Sequence, residues 1–303
     1  PQWESKATPI DNPADHQRKF RPTVPGGVSA IVCGSSACTT TTWPYSRKLS
    51  KHVLLRNWHC AYLSACNLNA IIQPSPYDGG VSPQDAIGRN LAGNIDNPTT
   101  DSAIAEGGTF DGQGNFTPSD QFATRRIFGF KNRDGSDFEY DGYTVPKSGD
   151  PFGKSGRTTG ITKDKVNAID GAANIQYPDK VRLKTDLIVA GDMLAGGDSS
   201  SPAFVLDAEG YPLAPLAGQG FAGGGGMSLF VKIPNIISDP ALAEYELDFN
   251  HGGTPPSDLY LSVSPTTLVP NQTVNFTITN AKVGDAYDLE LLDANQQHLD
   301  FLV

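Results

Sequence analysis

The apolar stretches of this 303-residue chain are short, and Gly, Pro, Asn or Asp interrupts each of them. With 32 glycines and 23 prolines as punctuation, little of the chain up to about residue 250 sustains a helical period. KVNAIDG (165–171), YPDKVRLKTDLIVAG (177–191) and SPAFVLDAEGYPLAPLAG (201–218) read as strands, the last folding back at Asp207–Gly210. ALAEYELDF (241–249) is the fair candidate for a short late helix. Many short strands with frequent turns make an all-β chain, whose sheet closes as a barrel or stacks as a sandwich.

Composition shifts divide the chain. Residues 1–27 hold five prolines without apolar periodicity and read as an irregular arm lying over something larger, the domain at 28–250. HGGTPPS (251–257) is a Gly/Pro linker. Beyond it, 258–303 alternates apolar and polar residues in LYLSVSP, TVNFTIT and AYDLELLD, with Val274, Phe276 and Ile278 expected to face inward. That segment resembles the opening strands of an immunoglobulin-like β module, of which it would be only a part. Half of the formal charge of -10 falls in residues 255–303, where six acids face Lys282 alone.

The same arithmetic narrows partners and compartment. A pI near 4.9 without a Lys/Arg run argues against nucleic acid as the main partner. Every apolar run is well short of the roughly 20 residues a spanning helix needs, so no membrane span is expected. Cys33, Cys38, Cys60 and Cys66 predict two disulfides in one of three connectivities, hence an oxidising setting, secreted or periplasmic. Zinc is the rival reading, but C-x4-C and C-x5-C lack the tight C-x2-C knuckle, so no metal or other cofactor is expected. The chain has no Met start and no leader at Pro1, which fits a removed leader or a fragment.

Five histidines are candidates for chemistry. His16 in the arm, His251 in the linker and His298 near the last residue are expected to be solvated, and His52 follows Arg47, Lys48 and Lys51. His59 ends an apolar approach in LLRNWHC. In GGDSSSP (196–202) glycines precede Ser199 and a strand follows, the tight presentation a nucleophilic hydroxyl needs, with backbone N–H groups beside it. Alone, the histidine reads as structural and the three serines as a surface loop. Between them Asp101 precedes a short apolar strand, where a buried carboxylate would hold the imidazole tautomer. GDPFGKS (149–155) is one residue short of a phosphate loop and lacks its strand-then-helix setting.

The order His59, Asp101, Ser199 is that of the double β-barrel proteases. RPTVPGG (21–27), RNWHC (56–60), QPSPYDGG (73–80), TDSAIA (100–105), KSGRTTG (154–160) and GGDSSSP (196–202) are collinear over about 21–205. In them the chain resembles the chymotrypsin/trypsin-like serine peptidases, specifically a bacterial and archaeal branch. The resemblance implies two six-stranded antiparallel β-barrels, and a monomer acting on protein or peptide substrates. Ser199 would be the nucleophile, His59 the general base and then acid, and Asp101 its orienter. The N–H groups of Gly197 and Ser199 would form the oxyanion hole, and Asp198 would turn inward to fix the loop. KSGRTTG would be a strand and turn supporting the second barrel, with Arg157 paired to an acid. Met193, six residues before the nucleophile, would lie at the base of the pocket for the side chain before the scissile bond, implying apolar preference. Phe221, Ala222 and Gly223 would supply the substrate-binding edge.

Three departures accompany the resemblance. Ser200 stands where the family has glycine, residues 29–58 fit the expected pair of strands poorly, and Trp58 replaces a small polar residue and is expected to crowd the cleft. They leave two rivals to a working endopeptidase: a degenerate protease fold serving as a binding or adhesion scaffold, and a peptidase that cuts only itself.

Overall fold

A computed structural model describes residues 8–32, 37–62, 69–250, 260–264 and 275–279. The chain divides into two compact units, Pro1–Gly252 and Gly253–Val303. The first begins with β1 (Ser29–Val32), β2 (Cys38–Thr39), β3 (Tyr45–Ser46), β4 (Lys51–Arg56), β5 (Ala70–Ile72), β6 (Ala86–Asn94), β7 (Ser102–Phe110) and β8 (Phe116–Pro118). Antiparallel pairing runs β4–β7–β6–β5–β1–β2, and the chain after β2 bridges back to β4 through Thr42 and Leu55. That bridge brings the two sides of the sheet together. β3 and β8 are short additions to the ring. Residues 29–58, which read poorly as a pair of strands, supply four, two of them only two residues long.

A small pair, β9 (Arg126–Lys131) and β10 (Asp137–Glu139), leads to the second half. There β11 (Pro151–Gly156), β12 (Gly160–Gln176), β13 (Val181–Ala190), β14 (Pro202–Leu206), β15 (Pro212–Gly224) and β16 (Met227–Lys232) close as a barrel in the order β11-β12-β13-β16-β15-β14. The stretches 165–171, 177–191 and 201–218, expected as strands, lie here, and the β14–β15 turn falls at Asp207–Gly210, where the Gly210 N–H bonds the Asp207 carbonyl. The late helix is Ile233–Ile237, not 241–249. Leu242 and Tyr245 are buried one helical turn apart, but Glu246 adopts a left-handed φ of 49° and ends a single 3-10 turn. β17 (Leu247–Asp248) then joins β3.

Successive side chains of β4 alternate between two cores, as the pleat requires. Leu54 joins Val24, Trp43, Ile71 and Ile87 inside the first barrel. Val53 and Leu55 face a cluster shared with Phe130, Phe138 and Phe204, whose rings meet edge to face with centroids 5.0–6.0 Å apart. This shared cluster lies between the barrels, and truncating a ring such as Phe204 to alanine would cost about 3–5 kcal/mol.

The described part of the arm, 8–27, is strapped to both halves. The Ile10 N–H bonds Ile161 O, the Ile161 N–H bonds Asp11 Oδ1 at 2.7 Å, and Val24 is buried in the first barrel. His16, expected in solvent, is wholly buried, with Nε2 2.7 Å from Asp11 Oδ2 and Nδ1 2.7 Å from Gly27 O. A carboxylate five residues earlier gives the ring a partner, so it can be buried without an unmet polar atom.

In the second unit β18 (Tyr260–Ser264) pairs antiparallel with β19 (Asn275–Thr279), setting Leu261 opposite Ile278 and Val263 opposite Phe276. The linker 251–257, Val274, His251, His298 and the rest of 258–303 lie outside the described residues.

Candidate active site

His59 opens a helical turn just after β4, and Asp101 sits just before β7, the strand that pairs with β4. The pairing Arg56–Ala103 therefore carries two residues 42 positions apart to the same end of the barrel. His59 Nδ1 lies 2.6 Å from Asp101 Oδ2, and the His59 N–H donates to Oδ1 at 3.0 Å. Tyr177, at the end of the β12–β13 hairpin, donates its hydroxyl to Oδ2 at 2.9 Å. Burial would push the wholly buried Asp101 carboxyl up, but the His59 charge and these donors hold it below the usual carboxylate range. It is thus an anion that fixes one face of the imidazole.

The turn carrying His59 is fastened beside the serine loop. Cys60 is disulfide-bonded to Cys38 of β2, and the next residue, Thr39, donates its N–H to Ser199 O at 2.8 Å. Cys38, His59 and Cys60 lie close enough to suggest a metal site, but both sulfurs are consumed in the disulfide. Cys33 and Cys66 lie outside the described residues.

Residues 195–201 form the loop before β14. Asp198 is fully buried and turned inward. Its Oδ1 accepts the N–H groups of Thr158 (2.7 Å) and Thr159 (3.2 Å), and its Oδ2 accepts the Thr159 hydroxyl (2.6 Å), the Ala195 N–H (3.0 Å) and the Lys154 ammonium (3.3 Å). Burial pushes the Lys154 amine down while Asp198 opposes that drop. KSGRTTG, expected to support the barrel, is therefore the cradle of the serine loop. Its Arg157 reaches out to Asp78 of QPSPYDGG, with Nε 2.9 Å from Oδ2, so three of the sequence motifs meet in one place.

The cradle also orients the loop's backbone. Thr158 Oγ1 donates to Gly196 O at 2.7 Å, and Ser201, through N–H and hydroxyl, donates to Asp198 O at 2.9 and 2.6 Å. In a planar trans peptide the N–H points opposite the carbonyl, so the N–H groups of Gly197 and Ser199 face away from these donors. The Gly197 carbonyl is itself held by Thr39 Oγ1 at 2.9 Å. Gly197 has a φ of 100°, and a Cβ there would lie 2.4 Å from Thr158 Oγ1, so the position demands glycine.

Ser200 adopts a φ of 78°, a conformation costing a side chain about 1 kcal/mol. The hydroxyl compensates. It accepts the Asn57 N–H at 2.7 Å and donates to Asn57 Oδ1 at 3.2 Å, while Ser200 N–H bonds Gly220 O. Asn57 Nδ2 in turn donates to Asp101 O (2.9 Å) and Gln219 Oε1 (3.1 Å). The serine thus ties the loop to the strand end just before His59. Among the described residues, no hydrogen bond joins the Ser199 hydroxyl to His59, whose Nδ1 is bonded to Asp101; such contacts are commonly long in free enzymes and tighten with substrate.

A cleft of about 450 Å³ opens beside His59, lined by 174–178 of the hairpin and by Phe221, Ala222 and Gly223. β14 pairs with β15 no further than Gln219, which leaves 221–223 with one strand edge toward the cleft. Met193 is buried in the second barrel's core with Ile188 and Phe230, and its N–H bonds Ser228 Oγ at 2.8 Å. It is not among the residues lining the cleft. Trp58 lies over Gly93 of β6, against the first barrel's core, and is not among the residues lining this cleft. Lys154, Asn57 and Tyr177 escaped the sequence reading. Lys154 lay inside a motif read as a support, whereas Tyr177 acts from a strand end 76 residues from Asp101 and leaves no local signal.

No protein-family model matches the chain, and no curated protein matches it. Among solved structures, Nocardiopsis protease is 15% identical with a TM-score of 0.50, covering 75% of this chain and 99% of its own. Thermobifida fusca protease A is 17% identical with a TM-score of 0.50, over 76% and 100%. An α-lytic protease homologue, N4, is 16% identical with a TM-score of 0.50, over 71% and 96%. With these the chain shares the chymotrypsin-like double β-barrel fold.

Proposed function

We propose that residues 28–250 are a secreted serine endopeptidase, and that Ser199, His59 and Asp101 are its catalytic residues. The observation that carries the reading is the 2.6 Å contact between His59 and the buried Asp101, beside a serine loop whose backbone is cradled from behind. The buried Cys38–Cys60 disulfide agrees with an oxidising compartment.

On this reading Ser199 Oγ attacks the scissile carbonyl carbon while His59 Nε2 takes its proton, and Asp101 stabilises the imidazolium that forms. The oxyanion would be received by the N–H groups of Gly197 and Ser199, each donor supplying about 2.7–4 kcal/mol. Collapse breaks the C–N bond, His59 returns its proton to the departing amine, and an ester to Ser199 remains; water then repeats the sequence with His59 as base. Substrate backbone would add to the open edge at 221–223. With Met193 rather than an acid beneath the pocket, apolar side chains would be preferred.

Fluorophosphonate labelling tests the assignment. Wild type should take up the label and Ser199→Ala should not. A folded wild type that neither labels nor cleaves casein would overturn the reading in favour of a binding scaffold, and label retained in Ser199→Ala would displace Ser199.

A further inference from the structure

The β12–β13 hairpin is long, 17 residues out and 10 back, and its far end leaves the second barrel to reach the first. The turn closes with Tyr177 N–H on Lys180 O. From there the returning strand grips the segment that ends in Asp101. Lys184, nearly fully buried, donates to the carbonyls of Ile95, Asn97 and Thr100 at 2.6, 2.7 and 2.5 Å. Thr185 N–H bonds Pro98 O, and Arg182 pairs with Asp96 and Asp179.

This grip sets the phenol of Tyr177. The ring is 5% exposed, with Arg182 Cζ 5.0 Å and Lys184 Nζ 5.8 Å from its centroid. The hydroxyl meets the same Asp101 oxygen that receives His59 Nδ1. Burial and the neighbouring carboxylate both push the phenol's pKa up, so it remains a donor throughout the working range.

We propose that Tyr177 is a positioning residue for the His59–Asp101 pair: a hairpin of the second barrel supplies, across the junction, the hydrogen bond that aims the carboxylate at the imidazole. The inference rests on the roles proposed above for His59 and Asp101. A carboxylate oxygen with two donors has less freedom to rotate than one with a single donor, and it shares its charge between them. Removing the phenol donor leaves Asp101 more negative toward the imidazolium, so the acid limb of activity moves to higher pH. The other charges around the pair, Arg182, Lys184, Asp96, Asp179 and Asp239 (which accepts the Thr100 hydroxyl), stay in place.

The test needs no known substrate. The rate of inactivation by a fluorophosphonate is measured against pH for wild type and Tyr177→Phe, which keeps the ring between Arg182 and Lys184. The low-field proton resonance of the His59 Nδ1–H is recorded on the same samples. Loss of one bond to a charged group corresponds to inactivation about tenfold slower at neutral pH. The acid limb should move up and the resonance should shift. Incorporating 3-fluorotyrosine at 177, a stronger donor that preserves the fold, should move the limb the opposite way. An unmoved limb and resonance in both variants, with or without a lower Tm, would overturn the proposal and leave Tyr177 as packing. Should wild type fail to react at all, the peptidase reading falls, while the resonance still reports whether the Tyr177 bond acts on His59.

Discussion

The two sides of the candidate site are held by different means. On the serine side, the fully buried Asp198 is enclosed within one barrel and receives the Lys154 charge and four further donors. On the histidine side, Asp101 is approached from both barrels through His59 and the neutral phenol of Tyr177. A buried ion pair is costly to break from one side, whereas removing the neutral phenol still leaves the Asp101 carboxylate with both His59 donors. On the roles proposed above, the serine loop would act as scaffold and the base would be where rate is set.

The sharpest way to break that contrast is Asp101→Asn. It should leave the fold intact and lower the labelling rate by about 10⁴-fold, since the wrong imidazole tautomer would be favoured; unfolding instead would make Asp101 a structural residue like Asp198. Lys154→Met should do the reverse, destabilising by about 3–5 kcal/mol in denaturant titration because Asp198 is left buried and unpaired. Arg56 supplies the control. Its guanidinium is also buried but has no hydrogen-bond partner among the described residues, and burial pushes it down to about 9. Arg56→Met should be neutral or stabilising in the same titration, because no pair is lost.

Next in size is the link between motifs. Burial alone would raise the Asp78 carboxyl, but Arg157, Ser29 and Ser75 bring it below its ordinary value. A group lowered on folding stabilises the protein above its unfolded value, about 3.9, and that contribution is lost as pH falls toward the folded value. Asp78→Asn should cost about 1.5–3 kcal/mol near pH 7 and flatten the stability slope below pH of about 4. The smallest effect separates strain from bonding at Ser200. Ser200→Ala keeps the left-handed φ and loses both bonds to Asn57, costing about 1–2 kcal/mol, while Ser200→Gly also relieves the strain and should fall within about 1 kcal/mol of wild type. Thermal unfolding of the pair reads the difference.

Much of this architecture was legible because it is encoded locally. Short apolar runs and turn residues marked β12 to β15, and motifs that must bend tightly, such as GGDSSSP, carry their glycines with them. His59, Asp101 and Ser199 were legible as an ordered set, although the contact of His59 with Asp101 depends on strand pairing that joins residues 42 positions apart. What escaped depends on partners outside the local motif, near in sequence for His16 and far for Lys154 and Tyr177. His16 is buried because Asp11 meets it, Lys154 because Asp198 meets it, and Tyr177 because its hairpin crosses to Asp101. Residues 241–249 carry the spacing of a helical turn, yet pairing of Leu247 and Asp248 with β3 takes precedence over continuing it.

The central claim is that a cradled serine loop presents Ser199 and two backbone donors to a base held from both barrels. A structure determined after reaction with a fluorophosphonate tests it most directly. The prediction is a phosphorus bonded to Ser199 Oγ, with its oxygen about 2.7–3.1 Å from the N–H groups of both Gly197 and Ser199. An adduct on another residue, or an oxygen turned away from those two donors, would contradict it.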